Sequence, residues 1–165
     1  MSKTITSHML QLVTFTTSLP ISQVMSRLDD QVAKGSPAIT AGWATATREE
    51  FEKGINDKVG PSGFMFFDEY NYGRFLQLYT NSPRVHVYVV GNPIFAQTML
   101  QHDLRAACNV PLRLLLIEKA DGVGTDVVYH LPSSVIALGD DAKLKAAAEV
   151  IDKKLESLVE SITAP

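Results

Sequence analysis

The stretch Arg84–Leu104, RVHVYVVGNPIFAQTMLQHDL, decides the fold. Arg84 to Val90 is rich in β-branched and aromatic residues and reads as a strand. Gly91-Asn92-Pro93 follows at once. Asn is a strong N-cap, and Pro suits a first helical position because its missing N–H is unpaired there anyway. A helix carrying Phe95, Met99 and Leu100 therefore starts here, with Leu104, Ala107 and Cys108 further on. Asp103 is placed to cap a second short helix, which predicts a kink at His102-Asp103. Asn109 ends the segment, and Pro111 blocks its continuation.

Upstream lies FMFFDEYNYGRFLQLYT, Phe64 to Thr80, with seven aromatics in seventeen residues. Asn71-Tyr72-Gly73 reads as a turn. Arg74 to Thr80 alternates, with Phe75, Gln77 and Tyr79 on one side and Leu76 and Leu78 on the other. Asn81-Ser82-Pro83 then turns the chain, so Arg74–Thr80 and Arg84–Val90 are expected to form a hairpin. Downstream, Val110 to Lys119 is an apolar strand, Asp121-Gly122 a turn, and Thr125 to Leu131 the returning strand. Pro132-Ser133-Ser134 interrupts before a short apolar piece, Val135 to Leu138.

At the N-terminal end, Met9 to Phe15 predicts a strand. Ile21, Val24, Met25, Leu28 and Val32 predict an amphipathic helix of about fifteen residues, closed by Lys34-Gly35. Residues 35–46 read as a loop anchored by Trp43. Thr47-Arg-Glu-Glu50 matches a capping box that opens a helix with Phe51, Ile55 and Val59. The last helix, capped at Gly139-Asp140-Asp141, carries Leu144, Ala147, Ala148, Ile151, Leu155, Leu158, Val159 and Ile162 as an unbroken apolar stripe. Hairpins imply antiparallel pairing, and helices can then cover one face. The expected fold is α+β, an antiparallel sheet covered by helices in two layers. The 165 residues read as a single domain, 1–165.

Composition narrows the function. A formal net charge of −3 argues against a general nucleic-acid surface. The single Cys excludes an internal disulfide and a cysteine-only metal site. No window approaches a membrane span, and residues 1–18 show no signal-peptide pattern, so a cytoplasmic protein with a reduced thiol is expected. His8, His86, His102 and His130 have no metal-ligand spacing, so no metal site is implied. No cofactor is implied either, although a haem held by one His stays compatible. Cys108, on an apolar helix face, is expected in the core.

Together, the G-N-P junction (Gly91, Asn92, Pro93) with Ala96, Met99, Leu100, Asp103, Pro111, Glu118, Gly122, Tyr129 and Pro132 resembles the family called domain of unknown function 302. The resemblance covers roughly residues 64–138, and FMFFDEYNYGRFLQLY is similar to a fungal-type branch. It implies a curved antiparallel sheet with helices packed on it, similar to the TATA-box-binding-protein-like arrangement. It implies no activity. Many members carry a Cys near the positions of Asn109 to Pro111, whereas this chain has Cys108, so no thiol role carries over.

Candidate chemistry follows from residue types. The Asn92 helix end offers backbone N–H groups and a positive dipole to an anionic group, and the plain alternative is a cap alone. His102 and Asp103 are an acid–base candidate, against a surface His beside a cap. Tyr129 and His130 point to opposite sheet faces. The family pattern favours Tyr129 for a pocket, against a structural Tyr. Asp68-Glu69 among aromatics is the best candidate for a carboxyl raised by burial, against a solvated turn.

Three functions compete. The first is a small apolar or aromatic ligand in a pocket bounded by Phe67, Tyr70, Tyr72, Asn92 and Met99. The second is a cofactor-independent lyase or isomerase step there, with Glu69, His102, Asp103 and Tyr129 as acid and base. The third is a homodimeric interaction module without catalysis.

Overall fold

The computed structural model describes residues 1–35, 46–120 and 122–165. Trp43 and most of the expected loop at 35–46 lie outside the described residues, as does Asp121. In chain order the elements are β1 (Leu12–Thr17), α1 (Ile21–Gln31), α2 (Arg48–Asn56), β2 (Met65–Asn71), α3 (Tyr72–Leu76), β3 (Val85–Gly91) and α4 (Pro93–Leu100). A 3-10 helix (Leu104–Asn109), β4 (Leu112–Glu118), β5 (Thr125–His130), α5 (Pro132–Ile136) and α6 (Ala142–Thr163) complete them. The strands form one sheet in the order β1-β5-β4-β3-β2, and every pairing is antiparallel. The α+β expectation is met.

One face of this sheet builds the core. Tyr88 pairs with Leu114 and His86 with Leu116, Leu116 pairs with Val127, and Val13 pairs with Tyr129. On α6, Leu144, Ala148, Ile151, Leu155, Leu158, Val159 and Ile162 are all buried. They pack in one cluster with Ile21, Val24 and Leu28 of α1 and the inward strand residues. On the other face Val85, Val87, Leu115, Ile117 and Val128 are half-buried. Among the described residues no helix is long and apolar enough to cross a membrane.

The cap signals hold. Thr47 and Glu50 form a full capping box, with the Glu50 N–H donating to Thr47 Oγ1 at 3.3 Å and the Thr47 N–H to Glu50 Oε2 at 2.8 Å. Asp103 caps the 3-10 helix as expected, and Asp141 caps α6.

Several boundaries differ. Arg74–Thr80 is not a strand. The β3 partner is β2, while Tyr72–Leu76 is helical. Asn71 caps that turn by accepting from the Arg74 N–H. Gly73 lets it approach β3, since a Cβ there would lie 2.7 Å from Val85 N and 2.8 Å from Pro83 O. These local interactions override the alternation of Phe75, Gln77 and Tyr79. β1 begins at Leu12 rather than Met9, because its ladder with β5 starts at the Leu12–His130 pair. The segment after Pro132 coils into α5. Helix α1 has 11 residues and stops before Gly35. Ala33 takes the left-handed conformation (φ 52°), and the Lys34 N–H reaches back to Asp29 O at 3.0 Å. This is a Schellman closure with alanine at the position glycine favours.

Two substitutions with opposite signs test these backbone assignments by urea unfolding. Ala33→Gly is expected to stabilise by about 0.5–1 kcal/mol, the left-handed penalty less the entropy of glycine. Gly60→Ala is expected to destabilise by roughly 2–3 kcal/mol, because its Cβ would collide with the Gln31 carbonyl.

Candidate functional site

Asn92 sits where β3 passes into α4 and is buried. Its Oδ1 accepts from the Ile94 N–H at 2.8 Å, and its Nδ2 donates to Gly63 O at 2.8 Å. Pro93 has no N–H. The asparagine therefore acts as a cap that also ties the 60–63 loop to the helix.

Beside it opens a hollow of about 260 Å3, lined chiefly by Phe64, Phe67, Phe95, Met99, Val110 and Pro111. Gly91, Asn92, Ala96 and Ile151 are also on its wall. Phe64 and Phe95 meet edge to face at 5.8 Å, and Lys154 Nζ lies 4.7 Å above the Phe95 ring. Gly91 matters by what it lacks, since a Cβ there would lie 3.1 Å from Phe67 and 3.2 Å from Pro111. The Val110–Pro111 peptide is cis. Phe67 reaches the hollow because β2 is bulged. Phe66 pairs with Val90 and Asp68 with Val89, which leaves Phe67 as the extra residue.

Of the expected ligand-binding residues, Phe67, Asn92 and Met99 converge here. Tyr70 lies instead in a neighbouring groove with Arg113 and His130. Tyr72 is exposed, its ring 6.3 Å from that of Tyr70. Among the described residues no histidine lines the hollow. Among the described residues no three His, Cys, Asp or Glu converge as metal ligands.

The four acid–base candidates occupy different places. Tyr129 is buried under α6 and stacked 6.4 Å from Phe15. Burial, with Glu156, Asp152 and Glu160 adding, pushes its phenol up to about 12, so it stays protonated at neutral pH. Asp103 pairs with Arg105 at 2.8 Å, and the Arg105 hydrogen bonds hold its carboxyl below the usual range. His102 follows the end of α4 and lies near Asp141, whose carboxyl is lowered by the Leu144 and Lys143 N–H groups and also by this histidine. Glu69 is on β2, three strands from Tyr129 on β5, or about 14 Å at ordinary strand spacing.

Glu69 is the centre of a polar knot that sequence spacing did not disclose. Lys34 Nζ lies 2.5 Å from Glu69 Oε2 and 3.3 Å from Asp29 Oδ1. His86 Nδ1 lies 2.6 Å from Glu69 Oε1. The Tyr88 hydroxyl donates to Asp29 at 2.8 Å and accepts from Lys34 at 3.2 Å. The expectation of a raised Glu69 pKa is thereby corrected. Burial acts in the raising direction, but the hydrogen bonds and charges of Lys34 and His86 outweigh it and lower the carboxyl. Cys108 is also corrected. It is exposed on the 3-10 helix, whose tight turn leaves only Ala106 fully buried.

Residues 44–162 match the family described as "Domain of unknown function DUF302". The chain belongs to the DUF302 family. The match extends beyond the 64–138 core on both sides, taking in α2 and nearly all of α6. The fold is similar to the crystal structure of an uncharacterized conserved DUF302 protein from Bacillus stearothermophilus, with a TM-score of 0.64 and 17% identity over 91% of this chain and 96% of that one. No curated protein matches the chain.

The knot carries a pH signature. Because the folded Glu69 carboxyl lies below its ordinary value of 4.5, its contribution is complete above that pH and is lost as pH falls through the lowered folded value. Glu69→Gln is expected to cost about 2 kcal/mol at pH 7 and to flatten the acid limb of stability against pH. Urea unfolding of both proteins between pH 3 and 7 checks this, and parallel acid limbs would contradict it.

Proposed function

We propose that this DUF302 protein binds a small, uncharged apolar or aromatic ligand in the hollow beside Asn92. One observation carries the reading. Three phenylalanines and a methionine surround the space, and the amide of Asn92, the polar side chain on its wall, is engaged at both Oδ1 and Nδ2. Such a wall has no partner for a charge, and a charged ligand would be left unpaired. The volume of about 260 Å3 lies just below the range of drug-sized sites, which favours a single-ring compound. Glu69, His102, Asp103 and Tyr129 do not line it, so binding is better supported than a lyase or isomerase step. The free, exposed Cys108 suits a reducing compartment, in keeping with a cytoplasmic protein.

Indole is a suitable probe. The Met99 methyl resonance is expected to shift saturably with indole, and Ala96→Leu, which fills the wall, is expected to abolish the shift while the protein stays folded. A strictly linear response in the parent protein would contradict the reading.

A second reading, a homodimeric interaction module, is favoured by one surface. Tyr70, Tyr72, Phe75, Leu78 and Tyr79 are exposed by 46%, 48%, 55%, 78% and 77%. An apolar cluster of this kind at one end of a sheet is characteristic of an association site. Light scattering is expected to show a dimer that Phe75→Ser with Tyr79→Ser converts to monomer, whereas a monomer at all concentrations would exclude this reading.

A further inference from the structure

A second cavity, of opposite chemistry, lies towards the far end of β2. It has a volume of about 380 Å3 and is lined by Asn71, Gly73, Arg74, Gln77, Arg84 and His86. His86, only 5% exposed, is its inward member. Glu69 takes His86 Nδ1, and among the described residues no buried side-chain nitrogen or oxygen is left without a partner. The other ring nitrogen, Nε2, is therefore the one that meets the cleft. A carboxylate behind the ring fixes its orientation and strengthens what the free nitrogen can do, the relation seen wherever a histidine is oriented by a second group.

On the segment opposite, Arg74 and Gln77 line the cleft from exposed positions, and Leu76 is the half-buried side chain that anchors the turn. The glycine at position 73 brings this turn against the chain at Pro83 and Val85, which sets Arg74 beside Arg84. Among the described residues neither guanidinium forms an ion pair. Among the described residues the Arg84 guanidinium donates to the soft sulfur of Met25, at 3.6 Å. Two guanidiniums without an ion pair present donors to this space, and the imidazole, its Nδ1–H taken by Glu69, adds an Nε2–H donor as the imidazolium.

We propose that this cleft is a binding site for a small oxyanion, a carboxylate or a phosphate, held between Arg74 and Arg84, with the Glu69-oriented His86 donating to it through Nε2–H as the imidazolium. The site is separate from the apolar hollow and does not depend on the reading given to it.

Titration of 15N-labelled protein at constant ionic strength tests it, with inorganic phosphate in one arm and acetate in the other. The His86 ring nitrogens and the Arg74 and Arg84 Nε–H signals are expected to move together and saturably with at least one anion. Saturation by phosphate alone identifies a phosphorylated ligand class, and saturation by acetate alone a carboxylate. Arg74→Gln and Arg84→Gln, both at exposed positions, are each expected to weaken binding roughly tenfold or more, as loss of a charged hydrogen bond requires. Linear shifts with both anions, or an affinity unchanged in both variants, would overturn the proposal. Indole binding by the variants, measured at Met99, separates this outcome from failure of the hollow.

Discussion

One extra residue in β2 sets the arrangement of both cavities. Phe66 pairs with Val90 on the helix-covered face. Strict alternation would place Asp68 on that face and Glu69 outside. The bulge at Phe67 restarts the alternation one residue late, so Asp68 opposes Val89 and Glu69 opposes Tyr88. The carboxylate that enters the molecule is therefore the one able to meet Lys34 and His86. Phe67, released from the ladder, is free to wall the hollow. The same residue thus walls the apolar hollow and turns Glu69 towards the His86 that lines the charged cleft.

The polar knot explains why a carboxylate and an ammonium are tolerated at the edge of the core. Buried charges are stable only when fully partnered. Lys34 meets both Glu69 and Asp29 and stands over the rings of Phe66 and Tyr88 at 5.3 and 4.8 Å. Burial works against its charge, but these partners prevail and raise its pKa. Burial likewise raises the Tyr88 phenol, aided by Asp29, so the hydroxyl remains a donor. The left-handed turn at Ala33 aims Lys34 into this group. A strained backbone position at the end of α1 and an oriented histidine on β3 are two parts of one network.

What the sequence disclosed was mostly local. The α6 stripe, the Thr47–Glu50 box and the caps at Asn92 and Asp103 depend on residues within four positions of each other, and each appears in the fold. Arg74–Thr80 alternates in sequence, but the Asn71 cap and the backbone approach at Gly73 decide its conformation. Glu69 departs from expectation for a different reason. Its aromatic neighbours in sequence were visible, but its partners Lys34 and His86 are 35 and 17 residues away. A bulge leaves no compositional mark, so the exchange of Asp68 for Glu69 was illegible. His86 and Tyr88, two apart on a strand, could have been placed on one face, yet nothing local linked them to α1. Of the residues around the hollow, Asn92 and Met99 lie close together at one strand-to-helix junction, whereas Phe67 comes from β2. Glu69, His102, Asp103 and Tyr129 are spread over four elements or their ends, and no spacing rule could have shown whether they meet.

β2 is also a border of the sheet, met on its outer side at Phe66, whose N–H donates to Val32 O at 2.9 Å. Sheet margins left unpaired template strand addition between molecules. The irregularity at Phe67 interrupts the margin partway along, and Asp68 adds an outward negative charge next to it. An inserted residue that shapes an apolar hollow thereby also makes the sheet's margin a poorer template for a fibre.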